Sequence, residues 1–153
     1  MSVSRYETTI QDIVDELETI QQGTTYRTSV VLPVSKVILD PTKITSSPRV
    51  FVVTGDESLS MQDSTKTIFD SEMRVLVCGL VKGSTSSNSE ALNEDLNALA
   101  HDLKKCVATF CLKYINTAAN RWQVKRSAEP KMTRAVPPDA NFGWVFLEFT
   151  VQI

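Results

Sequence analysis

The 153 residues give 42% hydrophobic and 22% charged side chains and a formal net charge of −2. That length and balance favour one domain over 1–153 with a proper core, and they exclude a long disordered chain. The acidic total disfavours general nucleic-acid binding, although a local basic site remains open.

The first element reads as a helix. Tyr6, Ile10, Ile13, Val14, Leu17 and Ile20 fall on one apolar stripe. Ser4 and Glu7 have capping-box spacing, and Gly23 is placed to end the helix. Asp12, Asp15, Glu16 and Glu18 form a solvated acidic side.

Strand signals follow. "YRTSVVLPVSKVILD" is rich in β-branched residues, but Pro33 makes it an edge strand, a bulged strand or two short pieces. "PRVFVVTGD" is a second strand, bounded by Pro48 and Gly55. "GDESLSMQDSTK" is polar and suggests a long hairpin loop or arm. From Met73 to Val81 both faces are largely apolar, which marks a central strand covered on two sides. One cover could be another subunit.

After a serine-rich link, Ser87 and Glu90 repeat the capping-box spacing. A helix over 91–115 carries Leu92, Leu96, Leu99, Leu103, Cys106, Val107, Phe110 and Tyr114 on one stripe. Beyond it, Trp122 and Val124 alternate with Arg121, Gln123 and Lys125. A proline-containing connection, "SAEPKMTRAVPPDAN", leads to the last strand. There Val145, Leu147, Phe149, Val151 and Ile153 share one face, and Trp144, Phe146, Glu148, Thr150 and Gln152 share the other. The expected fold class is α+β: a mostly antiparallel or mixed sheet with two main helices packed on one face. The expected order is helix, three strands, long helix, two strands.

No arrangement for catalysis or for a cofactor emerges. His101, Cys106 and Cys111 are spaced i, i+5 and i+10, so they cannot converge on one metal ion from a straight helix. We read His101 and Asp102 as a surface pair, and the three cysteines as reduced thiols. "CGLVKGS" lacks phosphate-loop spacing, and Asp56 beside Glu57 is too common a loop pair to specify chemistry. The N-terminus lacks a signal-peptide pattern, and no apolar run is long enough to span a membrane.

One stretch stands out electrostatically. "NRWQVKRSAEPKMTR" sets Arg121, Lys125, Arg126, Lys131 and Arg134 against Glu129 alone. With Trp122 interleaved it could contact nucleic acid. The alternation of Trp122 and Val124 favours a hairpin whose core side is apolar and whose other side is charged.

The order of "IVDELETI", "PRVFVVTGDES", "EMRVLVCGLVKG", "EALNEDLNALAHDLKKCV" and "FGWVFLEFTVQI" resembles the tail terminator (tail-to-head joining) proteins of long-tailed bacteriophages. The likeness extends over nearly the whole chain as a pattern of elements, without a diagnostic signature residue. It implies a virion protein of the tail–head junction, made in the host cytoplasm, with no active site. Such a protein forms a homohexameric ring that caps the tail tube protein, stops polymerisation and presents a surface to the head connector. DNA passes through the ring without specific binding. The subunit-interface or lumen contacts would then be sought among Arg121, Lys125, Arg126, Lys131, Arg134, Trp144 and Phe146. Two alternatives stay open: another phage ring or tube component, such as a tail tube or head-completion protein, and a cytoplasmic α+β ligand-binding module or enzyme.

Overall fold

Amphipathic spacing in the first segment produces α1, Arg5–Leu17, in a computed structural model that describes residues 5–23, 25–61, 69–83, 90–115, 123–124, 130–137 and 140–152. Ile10, Ile13, Val14 and Leu17 are buried along its inner stripe, and Ile20 continues the burial past the helix end. Gly23 does take a left-handed conformation, with φ 93°, but α1 has already stopped at Leu17. The glycine therefore serves the turn around the Gln22–Tyr26 bridge rather than the helix cap. Ser4 and Ser87, the expected caps, lie outside the described residues.

Five described strands form one sheet. β1 (Arg49–Met61) pairs antiparallel with β2 (Phe69–Lys82), and β2 pairs antiparallel with β5 (Phe142–Gln152). β3 (Gln123–Val124) and β4 (Lys131–Ala135) both pair antiparallel with β5. Between β2 and β3 lies α2, Glu90–Ile115, 26 residues long. This is an α+β fold in the order helix, strands, helix, strands.

The expected count of strands is wrong on both sides of α2. The segment 26–40 forms no strand; its main-chain links to the sheet's rim are the parallel bridge of Ser35 to Phe51 and a hydrogen bond from the Val31 N–H to the Pro48 carbonyl. Pro33 has no N–H to give a ladder, and the chain then turns through a 3-10 helix at Pro41–Lys43. On the other side, the connection after β3 contains β4, set between Pro130 and Pro137. Its lysine and arginine obscure the strand signal, yet charge on an edge strand is what limits unwanted pairing. The polar stretch expected as a long hairpin loop or arm takes the second form: β1 continues through Met61, which lies opposite Phe69, with an irregularity between Thr54 and Glu57. Among the described residues, β5 follows β2 only as far as the Glu72–Gln152 pair. The outer hairpin is therefore a two-stranded arm.

Strand alternation sorts the sheet into two faces. Val50, Val52, Met73, Val75, Val77, Val81, Val145, Leu147, Phe149 and Val151 join the buried stripes of both helices in one core. Leu92, Leu96, Leu99, Leu103, Cys106 and Val107 are the contribution of α2. Burying each such leucine stabilises the fold by about 1.5–3 kcal/mol. Two glycines let α2 come close. A Cβ on Gly79 would sit 2.7 Å from Leu99 Cδ2, and one on Gly143 would sit 2.5 Å from Leu96 Cδ1. The opposite face holds a second, smaller cluster of Ile44, Phe51, Cys78 and Leu80.

Candidate interaction surfaces

The second cluster explains why β2 is apolar on both sides. Phe51, Cys78 and Leu80 are fully buried although neither helix reaches their face. Part of their cover is the segment around Pro41–Lys43, which places Ile44 against them. Lys82 secures that segment: its Nζ donates to the Ile44 carbonyl at 2.7 Å and the Pro41 carbonyl at 3.3 Å. The Asp40 carboxylate accepts from the Thr42 N–H and holds the turn in shape.

The rest of the cover is aromatic. Trp144 and Phe146 alternate onto this face of β5 and are half-buried rather than exposed. Their rings stack, with centroids 5.7 Å apart and planes 13° apart, and Trp144 lies 6.1 Å from Phe51 at a tilt of 49°. Leu76 and Phe142 are also half-buried there. Beside them Arg74 Nε donates to Glu148 Oε1 at 2.9 Å. On the segment before the Pro41–Lys43 turn, Leu32, Val37, Ile38 and Leu39 are exposed, Val37 at 65%.

Of the five basic residues, the two described ones, Lys131 and Arg134, face opposite sides of the sheet. Arg121, Lys125 and Arg126 lie outside the described residues. Lys131 pairs across from Glu148 and therefore shares the aromatic face, whereas Arg134 pairs across from the buried Val145 and shares the helix side. Arg134 thus lines an open groove of about 490 Å³ between β4 and α2, with Asn97, Ala100, His101, Lys104, Met132 and Leu147. Sequence reasoning missed this groove because β4 was not recognised as a strand.

His101 and Asp102 are not a surface pair. His101 is exposed, but Asp102 is fully buried. Its carboxylate accepts from the Arg27 N–H at 3.0 Å, the Thr28 N–H at 2.7 Å and the Thr28 hydroxyl at 2.6 Å. The signal was present: Asp102 lies three residues after Leu99 and four before Cys106, on the apolar stripe itself. Its role is to satisfy the backbone donors of the loop after α1.

The described thiols are held in their neutral form. Burial pushes Cys78 up to about 11 and Cys106 up to about 12. Cys106 Sγ donates to the Glu16 carbonyl at 3.3 Å. Tyr26 is raised to about 12, by burial first and then by Cys106. Cys111 lies where no side chain is described. Among the described residues no group of three or more His, Cys, Asp or Glu side chains is arranged to hold a metal ion, and no helix is long and apolar enough to cross a membrane. No family model matches this sequence, and no curated protein matches it either.

Proposed function

We propose that this chain is a structural assembly protein of the tail terminator kind: a ring-forming cap on a phage tail tube. In that role it ends tail polymerisation and offers a docking surface to the head connector, with DNA passing through the ring. The resemblance of the element pattern supplies the role. The observation that carries it physically is the aromatic face, where Trp144 and Phe146 stay half-buried over a fully buried Phe51, Cys78 and Leu80. A sheet with helices on one face and apolar residues on both has a surface that a neighbouring subunit can complete. The exposed Val37, Ile38 and Leu39, on the segment that leads into the Pro41–Lys43 turn, give a second apolar patch. Two unlike patches on one subunit are what a head-to-tail ring requires, because each interface uses one from each neighbour.

Mass measurement in solution, with negative-stain microscopy, tests the assembly. A closed ring of six subunits is the expected result. A monomer that persists at high concentration and binds a small ligand saturably would overturn it. The role itself is tested by assembling tails without the protein. Tails that remain correctly capped and still join heads would sink the terminator reading, even if the ring exists.

A further inference from the structure

We propose that the groove between α2 and β4 receives the acidic first turns of α2 from a second copy of this chain. The proposal rests on the ring reading for its head-to-tail geometry, but the contact itself is argued from charge. The groove presents two permanent cations, Lys104 and Arg134, with His101 and Asn97 as further donors, over a floor of Ala100, Met132 and Leu147. Among the described residues, no carboxylate lines it. Among the described residues, none of these four polar side chains has a hydrogen bond or ion pair.

The acidic partner is identified by elimination among the carboxylates whose side chains are described. Carboxylates on and just after α1 are already engaged. Glu7 pairs with Lys36 at 3.2 Å, Asp15 accepts from Gln11, and Glu18 accepts from the Val34 N–H. Asp12 and Glu16 also have partners. Glu90, Glu94 and Asp95 at the start of α2 are exposed and have none among the described residues. They lie on the same helix as His101 and Lys104, so α2 is acidic at its start and basic further along. Within one straight helix the two ends cannot meet: Glu94 and Lys104 are about 15 Å apart along the axis at 1.5 Å per residue. Between copies they can. Glu90 and Glu94 are about 6 Å apart along one side of the helix, and His101 and Lys104 about 4.5 Å, so two carboxylates match two donors. The groove's apolar floor lowers the local dielectric and strengthens the pairs.

The test is a charge swap in the full chain. Lys104→Glu/Arg134→Glu reverses the groove, and Glu90→Lys/Glu94→Lys reverses the turns. Sedimentation at fixed concentration should show self-association weakened at least about tenfold in each variant, since like charges then face each other. Mixing the two variants should restore it, because each surface again meets its opposite. The milder Lys104→Gln/Arg134→Gln should weaken association less, and thermal melts check that every variant folds. If the wild-type chain forms a ring and the reversals leave it unchanged, the groove contact is wrong and the ring reading stands. Variants that dissociate without rescue on mixing also overturn the contact. A wild-type chain that associates as a twofold dimer, and loses it on reversal, would keep the contact and sink the ring. A chain that does not self-associate at all would refute both.

Discussion

Replacing Asp102 with alanine removes a carboxylate that is wholly buried and takes three donors from one short loop. Two of those donors are main-chain N–H groups, of Arg27 and Thr28, which no side-chain rotation can redirect. An unpaired buried donor costs about 1–3 kcal/mol. The loop is only part-buried, so water can recover some of that, and a total of about 2–4 kcal/mol is expected. Thr28→Val deletes the hydroxyl alone and should cost about 1 kcal/mol. The assay is equilibrium urea denaturation at one fixed protein concentration, since self-association would otherwise shift the midpoint. Combining Asp102→Ala with Thr28→Val should cost less than the sum of the two, because the hydroxyl has already lost its acceptor. If Asp102→Ala unfolds within about 0.5 kcal/mol of the wild type, the carboxylate is not what fixes this loop and the reasoning fails.

Three further outcomes follow from other parts of the molecule. Gly79→Ala and Gly143→Ala each drive a methyl group into a leucine of α2, at 2.7 and 2.5 Å, and should destabilise by about 1–3 kcal/mol in the same assay. Stability should hold through neutral pH and fall above about pH 9, where unfolded thiols ionise while Cys78 and Cys106 are held neutral to about 11 and 12. For these raised acids the folded state is favoured below the unfolded value and loses that advantage as pH climbs, so a stability maximum above pH 10 would contradict it. Phe146→Glu, on the aromatic face, should abolish the ring while the separated subunit still melts cooperatively; intact rings would refute the assignment of that face to a neighbour.

Periodicity made the long elements legible. The stripe of α2, the alternation of β5 and the two-sided apolar β2 all follow from residue spacing, and they place the core. Where spacing competes with charge or with proline, it misleads. β4 is hidden by Lys131 and Arg134, whose charges suit an open edge, and the groove beside it was hidden with it. The 26–40 segment looks β-like in composition, but its β-branched residues divide between burial, at Val30 and Val34, and exposure, at Val37 and Ile38. Asp102 is a tertiary matter: its neighbours on the helix say that it faces inward, and only the folded loop supplies its donors. The aromatic face was anticipated from Trp144 and Phe146, whereas its floor of Phe51, Cys78 and Leu80 required the register of three strands.

The hairpin of β1 and β2 outruns its third partner at Glu72. Inside that limit, the backbone amides of β2 are locked between two strands. Outside it, the pairs from Ser58–Glu72 to Met61–Phe69 have, among the described residues, only each other. One continuous strand then belongs to two cooperative units of different opening energy. Deuterium should enter β1 slowly at Val50 to Val52 and quickly from Ser58 onward, and a uniform rate along the strand would show that the arm is bound into the body. The arm can therefore unzip and re-form while the core stays shut, so ordering it on contact with a partner would cost only local melting.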